Sequence, residues 1–188
     1  MVSSAPASMA KGLEQIEGVE AVQARISKTV RVDFGDNSEA QLLLISTSRD
    51  GLNQPYLSQG SLPSASGREL VLGDGFSKAH SLFTGDTIDF MIQGGSVPFQ
   101  IAGSGISPEN IYLVKDITQM LPNTAEFDAA FVDYAVMERL FSMSGMANEF
   151  VFTLKEGAEF ETIKPQIEDL LEPYGCYQVS DLDGNLSC

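Results

Sequence analysis

The sequence predicts an α+β fold in two lobes, on three observations. Its first part carries strand-like runs of period two on either side of turn residues. A stretch rich in Gly, Pro and Ser, residues 47–67, then interrupts the pattern. From Phe127 onward, strand-like and helix-like segments alternate regularly.

Taken in order, the elements begin with a helix over residues 8–17, where Leu13 and Ile16 share a face and Gly18 stops it. Val22, Ala24 and Ile26 alternate with more polar neighbours, and so do Val30, Val32 and Phe34. The tetrad Gly35-Asp36-Asn37-Ser38 is turn chemistry, so 29–34 and 39–46 are expected to form a hairpin. Leu42-Leu43-Leu44-Ile45 is apolar on both faces, which suits a central strand. Residues 47–67 read as a loop crossing between lobes.

Next, Glu69–Leu72 reads as a strand and Phe76–Phe83 as a two-turn helix, with Phe76, Ala79, His80 and Phe83 on one stripe. Asp74 is the expected N-cap of that helix, and Gly85-Asp86 its closing turn. Strand 87–92 turns back at Gly94-Gly95 into strand 97–102. An irregular passage over 106–126 holds a strand near 111–114. The stretch after it reads as βαβαβ: "FDAAFVDY", "AVMERLF", "EFVFTL", a helix over 159–172 and a closing strand "CYQV". That order implies at least partly parallel pairing. On the helix, Phe160, Ile163, Ile167, Leu170 and Leu171 form one stripe, Pro165 lies in the first turn or kinks it, and Gly175 ends it. The expected lobes are residues 1–50 with 113–188, α/β in character, and residues 51–112, a smaller β-rich insertion.

Composition bounds the function. The 188 residues are 43% hydrophobic and carry a net charge of -15, from 26 acidic and 11 basic side chains. Enough apolar residues exist for a core. The charge argues against nucleic acid and against a polybasic surface for anionic lipid. No apolar run of about 18 residues is present, so no membrane span is expected within the chain. The opening "MVSSAPASMAKGLEQ" has no basic end followed by an apolar stretch and does not read as a signal peptide.

The candidate chemistry is thin. The single histidine, His80, falls on the apolar stripe of its helix, where a packed side chain is commoner than a catalytic one. Cys176 and Cys188 could pair only across a short loop, and read better as two free thiols without a basic partner in sequence. The many carboxylates are spread evenly over polar faces. Asp181-Leu182-Asp183-Gly184-Asn185 has the start of a calcium loop, without its further acidic ligands and closing Glu, and reads better as an acidic tail. Gly73-Asp74-Gly75 sits where a phosphate loop would, yet it lacks the phosphate-loop glycine pattern and Asp74 would repel phosphate. The residues therefore predict no catalytic, cofactor-binding or metal site.

Four segments in order resemble the extracytoplasmic core domain of MacB-like, FtsX-family ABC transporter permeases. "GLEQIEGVEAVQARI" is similar to the stretch that leaves the first membrane helix of that family. "GSLPSASGRELVLGDGFSKAHSLFTGDTIDF" resembles its loop, strand, short helix and Gly-Asp turn. "FQIAGSGISPENIYLV" resembles the returning strand, and "NEFVFTLKEGAEFETIKPQIEDLL" the last strand and helix. The resemblance implies a porter-like α/β lobe of βαβ units interrupted by a smaller, sabre-like β-rich lobe. It also implies membrane helices flanking residues 1–188, a cytoplasmic ABC ATPase that binds the ATP, a second permease copy, and a protein or lipid partner outside the membrane.

Under that resemblance the domain is not an enzyme but passes ATPase-driven motion to a substrate or partner, in export, lipid or lipoprotein extraction, or signalling. Partner contact is then expected at Ser107, Pro108, Glu109, Asn110 and Tyr112, and in the 47–67 loop. The alternative is a free-standing acidic domain, secreted or surface-attached, that binds calcium or a glycan.

Overall fold

The computed structural model describes residues 3–36, 40–52, 54–107, 123–175, 179–182 and 185–187. The chain opens with β1 (Ala5–Pro6), α1 (Met9–Leu13), β2 (Val19–Arg25), β3 (Ser27–Val32) and β4 (Gln41–Thr47). Then follow β5 (Tyr56–Gly60), β6 (Glu69–Gly73), α2 (Asp74–His80), β7 (Thr87–Ile92) and β8 (Gly95–Ile106). The remainder is β9 (Phe127–Asp133), α3 (Tyr134–Leu140), β10 (Met146–Ala147), β11 (Glu149–Leu154), α4 (Phe160–Leu171), β12 (Ser180–Leu182) and β13 (Asn185–Ser187). Two compact units result: Met1–Ile26 with Glu138–Cys188, and Ser27–Met137.

The unit Ser27–Met137 is organised by one seven-stranded sheet in the order β5-β8-β6-β9-β4-β3-β7, with β7 also paired to β8. That last pairing closes the six strands from β8 to β7 on themselves, and β5 hangs from β8 as an extra edge. The pairs β4–β9 and β6–β8 are parallel, while β3–β4, β3–β7, β6–β9, β5–β8 and β7–β8 are antiparallel. Both expected hairpins form. Val30 lies opposite Leu42 in the first, and Ile88 opposite Phe99 in the second. The second turn uses Gln93 and Gly94, both at positive φ, as a two-residue hairpin whose twist matches its strands requires. Alternation sends Leu42 and Leu44 to one face of β4 and Leu43 and Ile45 to the other. Ile45, Val71, Ala129 and Phe131 make a buried cluster on that second face with Leu43 packed against it, so β4 is a central strand, as its apolar run predicts.

The unit formed by Met1–Ile26 and Glu138–Cys188 holds a four-stranded sheet in the order β12-β13-β11-β2 and the short pair β1–β10, all antiparallel. Its core gathers Leu13, Ile16, Val19, Phe150, Phe152, Ile163, Ile167 and Leu171, where a fully buried Leu, Ile or Phe contributes about 1.5–3 kcal/mol. On α4 the buried stripe is Ile163, Ile167 and Leu171; Leu170 is 39% exposed. Pro165 sits in the second turn, where it removes a single amide donor while the helix continues. Opposite each other on β2 and β11, Arg25 Nε donates to Glu149 Oε2 at 2.7 Å, with both side chains largely buried.

Several expectations are corrected. The βαβαβ reading of 127–179 does not describe the pairing: β9 joins the sheet of one unit, and β11 pairs antiparallel with β2 and β13 in the other. The expected lobe limits at residues 50 and 112 do not coincide with the compact units, because β4 and β9 on one side of those limits share a sheet with β6 and β8 on the other. Residues 47–67 are not all loop, since they contain β5. The first helix spans Met9–Leu13 only and gives way to turns before Gly18. The strands expected near 111–114 and, in large part, at 176–179 lie outside the described residues.

Gly18 has φ +93, and a Cβ there would lie 2.8 Å from Ile163 Cδ1 on α4, whereas a Cβ at Gly12 meets nothing within 4 Å. Thermal denaturation is expected to show Gly18→Ala destabilised by about 1–3 kcal/mol, with Gly12→Ala unchanged or slightly more stable.

Candidate functional site

The segment from β6 through α2, which carries the histidine and the Gly-Asp-Gly sequence, is held by a carboxylate from a distant strand. The N-cap of α2 is Gly73, not Asp74, and no side chain of its own segment caps the helix. Asp128 on β9 takes that role: its Oδ2 accepts from Phe76 N at 3.0 Å, while its Oδ1 accepts from Ala129 N at 2.8 Å. Gly73 makes this possible, because a Cβ there would overlap the Asp128 carboxylate. Asp74 points elsewhere, accepting from Ser58 Oγ on β5 at 2.6 Å.

Asp128 is 7% exposed. Burial pushes its carboxyl above the usual carboxylate range, against the pull of the Ala129 and Phe76 amides, and the charge of Asp74 pushes it further up. The raised value favours the protonated form in the folded state. Its contribution to stability is therefore present at acid pH and is lost as pH rises through the raised value.

His80 closes α2 as a packing residue. Its ring stacks on Phe34 at 4.7 Å between centroids and tilts against Phe76 at 4.3 Å. Nε2 donates to the Ala125 carbonyl at 2.7 Å, which places a hydrogen on that nitrogen. The helix stops at Ser81, in the left-handed region at φ 53. Phe83 is therefore off the stripe and 54% exposed, and Ala79 is exposed as well. Asp86 accepts from Phe83 N at 2.8 Å in the turn that follows, as expected.

The other sequence candidates do not join this cluster. Ser107, directly after β8, is 1% exposed; Pro108, Glu109, Asn110 and Tyr112 lie outside the described residues, as do Cys176 and Cys188. Asp181, Leu182 and Asn185 belong to the paired strands β12 and β13, with β13 also paired to β11, so this stretch is the edge of a sheet rather than a free tail; Asp183 and Gly184 lie outside the described residues. Among the described residues, no three His, Cys, Asp or Glu side chains lie together in a way that could hold a metal ion. Open depressions occur among the described residues. One of about 490 Å³ lies beside Gly18, Lys155 and Thr162; another of about 380 Å³ lies between Asp33, Phe34, Leu82 and Asp89. Sequence reasoning missed Asp128, because nothing within "EFDAAFV" marks its carboxylate as a partner of a helix 52 positions away.

This fold is shared with extracytoplasmic domains of ABC-type transporter permeases. The extracellular domain of the ABC-type transporter YknZ from Gram-positive bacteria superposes with a TM-score of 0.54 at 13% identity, over 91% of this chain and 82% of that one. The periplasmic region of MacB from Actinobacillus actinomycetemcomitans does so with a TM-score of 0.55 at 16% identity, over 88% and 72%. No protein-family model matches the sequence, and no curated protein does. Among the described residues, no helix is long and apolar enough to cross a membrane.

Asp128→Asn keeps an acceptor at the α2 cap and removes the titration. Chemical denaturation from acid to neutral pH is expected to show the variant gaining stability relative to the parent as pH rises. A difference that does not vary with pH would contradict the assignment.

Proposed function

We propose that this chain is the extracytoplasmic domain of an ABC transporter permease, passing ATPase-driven motion to a substrate or partner outside the membrane. The observation that carries the reading is the shared fold, which extends over 91% and 88% of the chain in the two comparisons. The ordered sequence segments that resemble the same family support it independently of the coordinates. The packed environment of His80 also fits a domain that works by transmitting force. ATP binding and hydrolysis belong to a separate cytoplasmic ATPase. The permease would act with a second copy of itself and with a protein or lipid partner outside the membrane, in export, extraction or signalling.

The test uses the full-length gene product in its own cells, with Cys176 and Cys188 changed to Ser and Phe83→Cys introduced at an exposed position. It is expected in the membrane fraction, labelled by a membrane-impermeant maleimide in intact cells, and co-purified with an ABC ATPase. A product free in the medium, or one shielded from the reagent until lysis, contradicts the reading.

A further inference from the structure

Two carboxylates oppose each other where β3 leaves β7. Arg31 lies opposite Met91 and Val32 opposite Phe90. One step further, Asp33 N donates to the Asp89 carbonyl at 2.8 Å. Asp33 and Asp89 are therefore cross-strand neighbours on one face, where opposed side chains start about 5 Å apart and like charges repel. Both are half-buried. Asp33 Oδ1 accepts from Gly35 N at 3.0 Å. Among the described residues, neither carboxylate forms an ion pair and that of Asp89 accepts no hydrogen bond. Any residue at these positions would make the backbone bond, so the pairing of strands does not require two acids here.

The pair borders the depression of about 380 Å³, which Phe34, Leu82, Thr87 and Ile88 also line. That volume is in the range of small-ligand clefts, and a mostly apolar lining with a few polar groups is their usual composition. Its aromatic wall is fixed in advance. The Phe34 ring stacks on His80 at 4.7 Å and lies nearly parallel to Phe76, 6.2 Å away. A wall already held by its own core loses little freedom when a ligand arrives.

We propose that this depression binds a primary alkylammonium group, as carried by a lysine side chain or a free polyamine. The ammonium neutralises the opposed carboxylates, with the Phe34 ring as a cation–π wall and Leu82 beside the methylene stem. Other ligand classes fit less well. Calcium takes six to eight oxygens, and among the described residues no third acidic, Cys or His side chain joins the pair. A sugar presents acceptors as well as donors, and Thr87 is the one hydrogen-bond donor among the lining side chains named above. Anions are repelled. The inference rests on this depression alone and does not depend on the permease reading.

An amide NMR titration of the 188-residue chain with n-hexylammonium chloride, at about 0.15 M salt to screen diffuse attraction, tests it. Saturable shifts are expected at Phe34, Gly35, Leu82 and Thr87–Asp89, with a Kd on the order of 1 mM. Asp89→Asn is expected to weaken binding about tenfold, as loss of one charge-assisted hydrogen bond does. Asp169→Asn removes the same charge from an exposed position on α4 and leaves binding unchanged. Without ligand, Asp89→Asn is expected to melt at or above the parent's temperature, because it relieves the repulsion; a lower melting temperature would assign the carboxylate to the fold and overturn the proposal. Shifts that do not saturate, equal losses in the two variants, equal binding of n-hexanol, or calcium producing the same Asp89-dependent shifts would also overturn it. Parallel titrations with a blocked Ala-Lys-Ala peptide and with spermidine identify the source: the tighter of the two, lost in Asp89→Asn, is the favoured carrier of the amine. Membrane location and ATPase co-purification of the full-length protein are unaffected by any of these outcomes.

Discussion

The unit Ser27–Met137 depends on one strand. β9 lies between β4, parallel, and β6, antiparallel, and residues 128–132 are buried throughout. A strand covered on both faces must be apolar on both, and "AAFV" satisfies that with small residues on one side and Phe131 contributing to the cluster with Ile45 and Val71. β9 comes after β8 in sequence yet sits near the middle of the sheet, so the sheet cannot be completed until the chain has passed through β5–β8. Asp128 is a polar exception in that buried run, and its carboxylate ties the strand to the first amides of α2. One segment thus joins the two parallel-paired regions of the sheet and positions the only histidine-bearing helix.

Much of this was legible locally. The β3–β4 and β7–β8 hairpins follow from period-two alternation around Gly-, Asn- or Asp-containing turns, and a hairpin's partner is its neighbour in sequence. The Leu42–Ile45 run announced a strand covered on both faces. What the sequence left open is which sheet a strand joins. Regular alternation of strand and helix from Phe127 onward suggests parallel crossovers, but the preference for such units governs strands already known to share a sheet. Here β9 and β11 do not share one, and β11 takes β2 and β13 as antiparallel neighbours.

The site misreadings have the same origin. Asp74 has the sequence position of an N-cap, and only the approach of β9 shows that the capping carboxylate comes from Asp128. β5 was invisible because an exposed edge strand has no apolar alternation, and its Ser, Gln and Gly residues are those of a loop. The turn at Ser81 took Phe83 off a stripe whose spacing looked helical; a left-handed Ser carries no signature in sequence. His80, in contrast, packs as its place on the apolar stripe of a short helix suggests, against Phe34 and Phe76.

The segment β6–β8 is woven into the same closed sheet as the flanking β4 and β9, so that β3, β4 and β6–β9 stand or fall together. Native-state amide hydrogen exchange measures this directly. Slow amides of β4, β6, β8 and β9 are expected to share one opening free energy and to respond to denaturant with one slope. Amides of β6–β8 that open at a distinctly lower free energy than those of β4 and β9 would show instead that residues 51–107 form an independent lobe, contradicting the account.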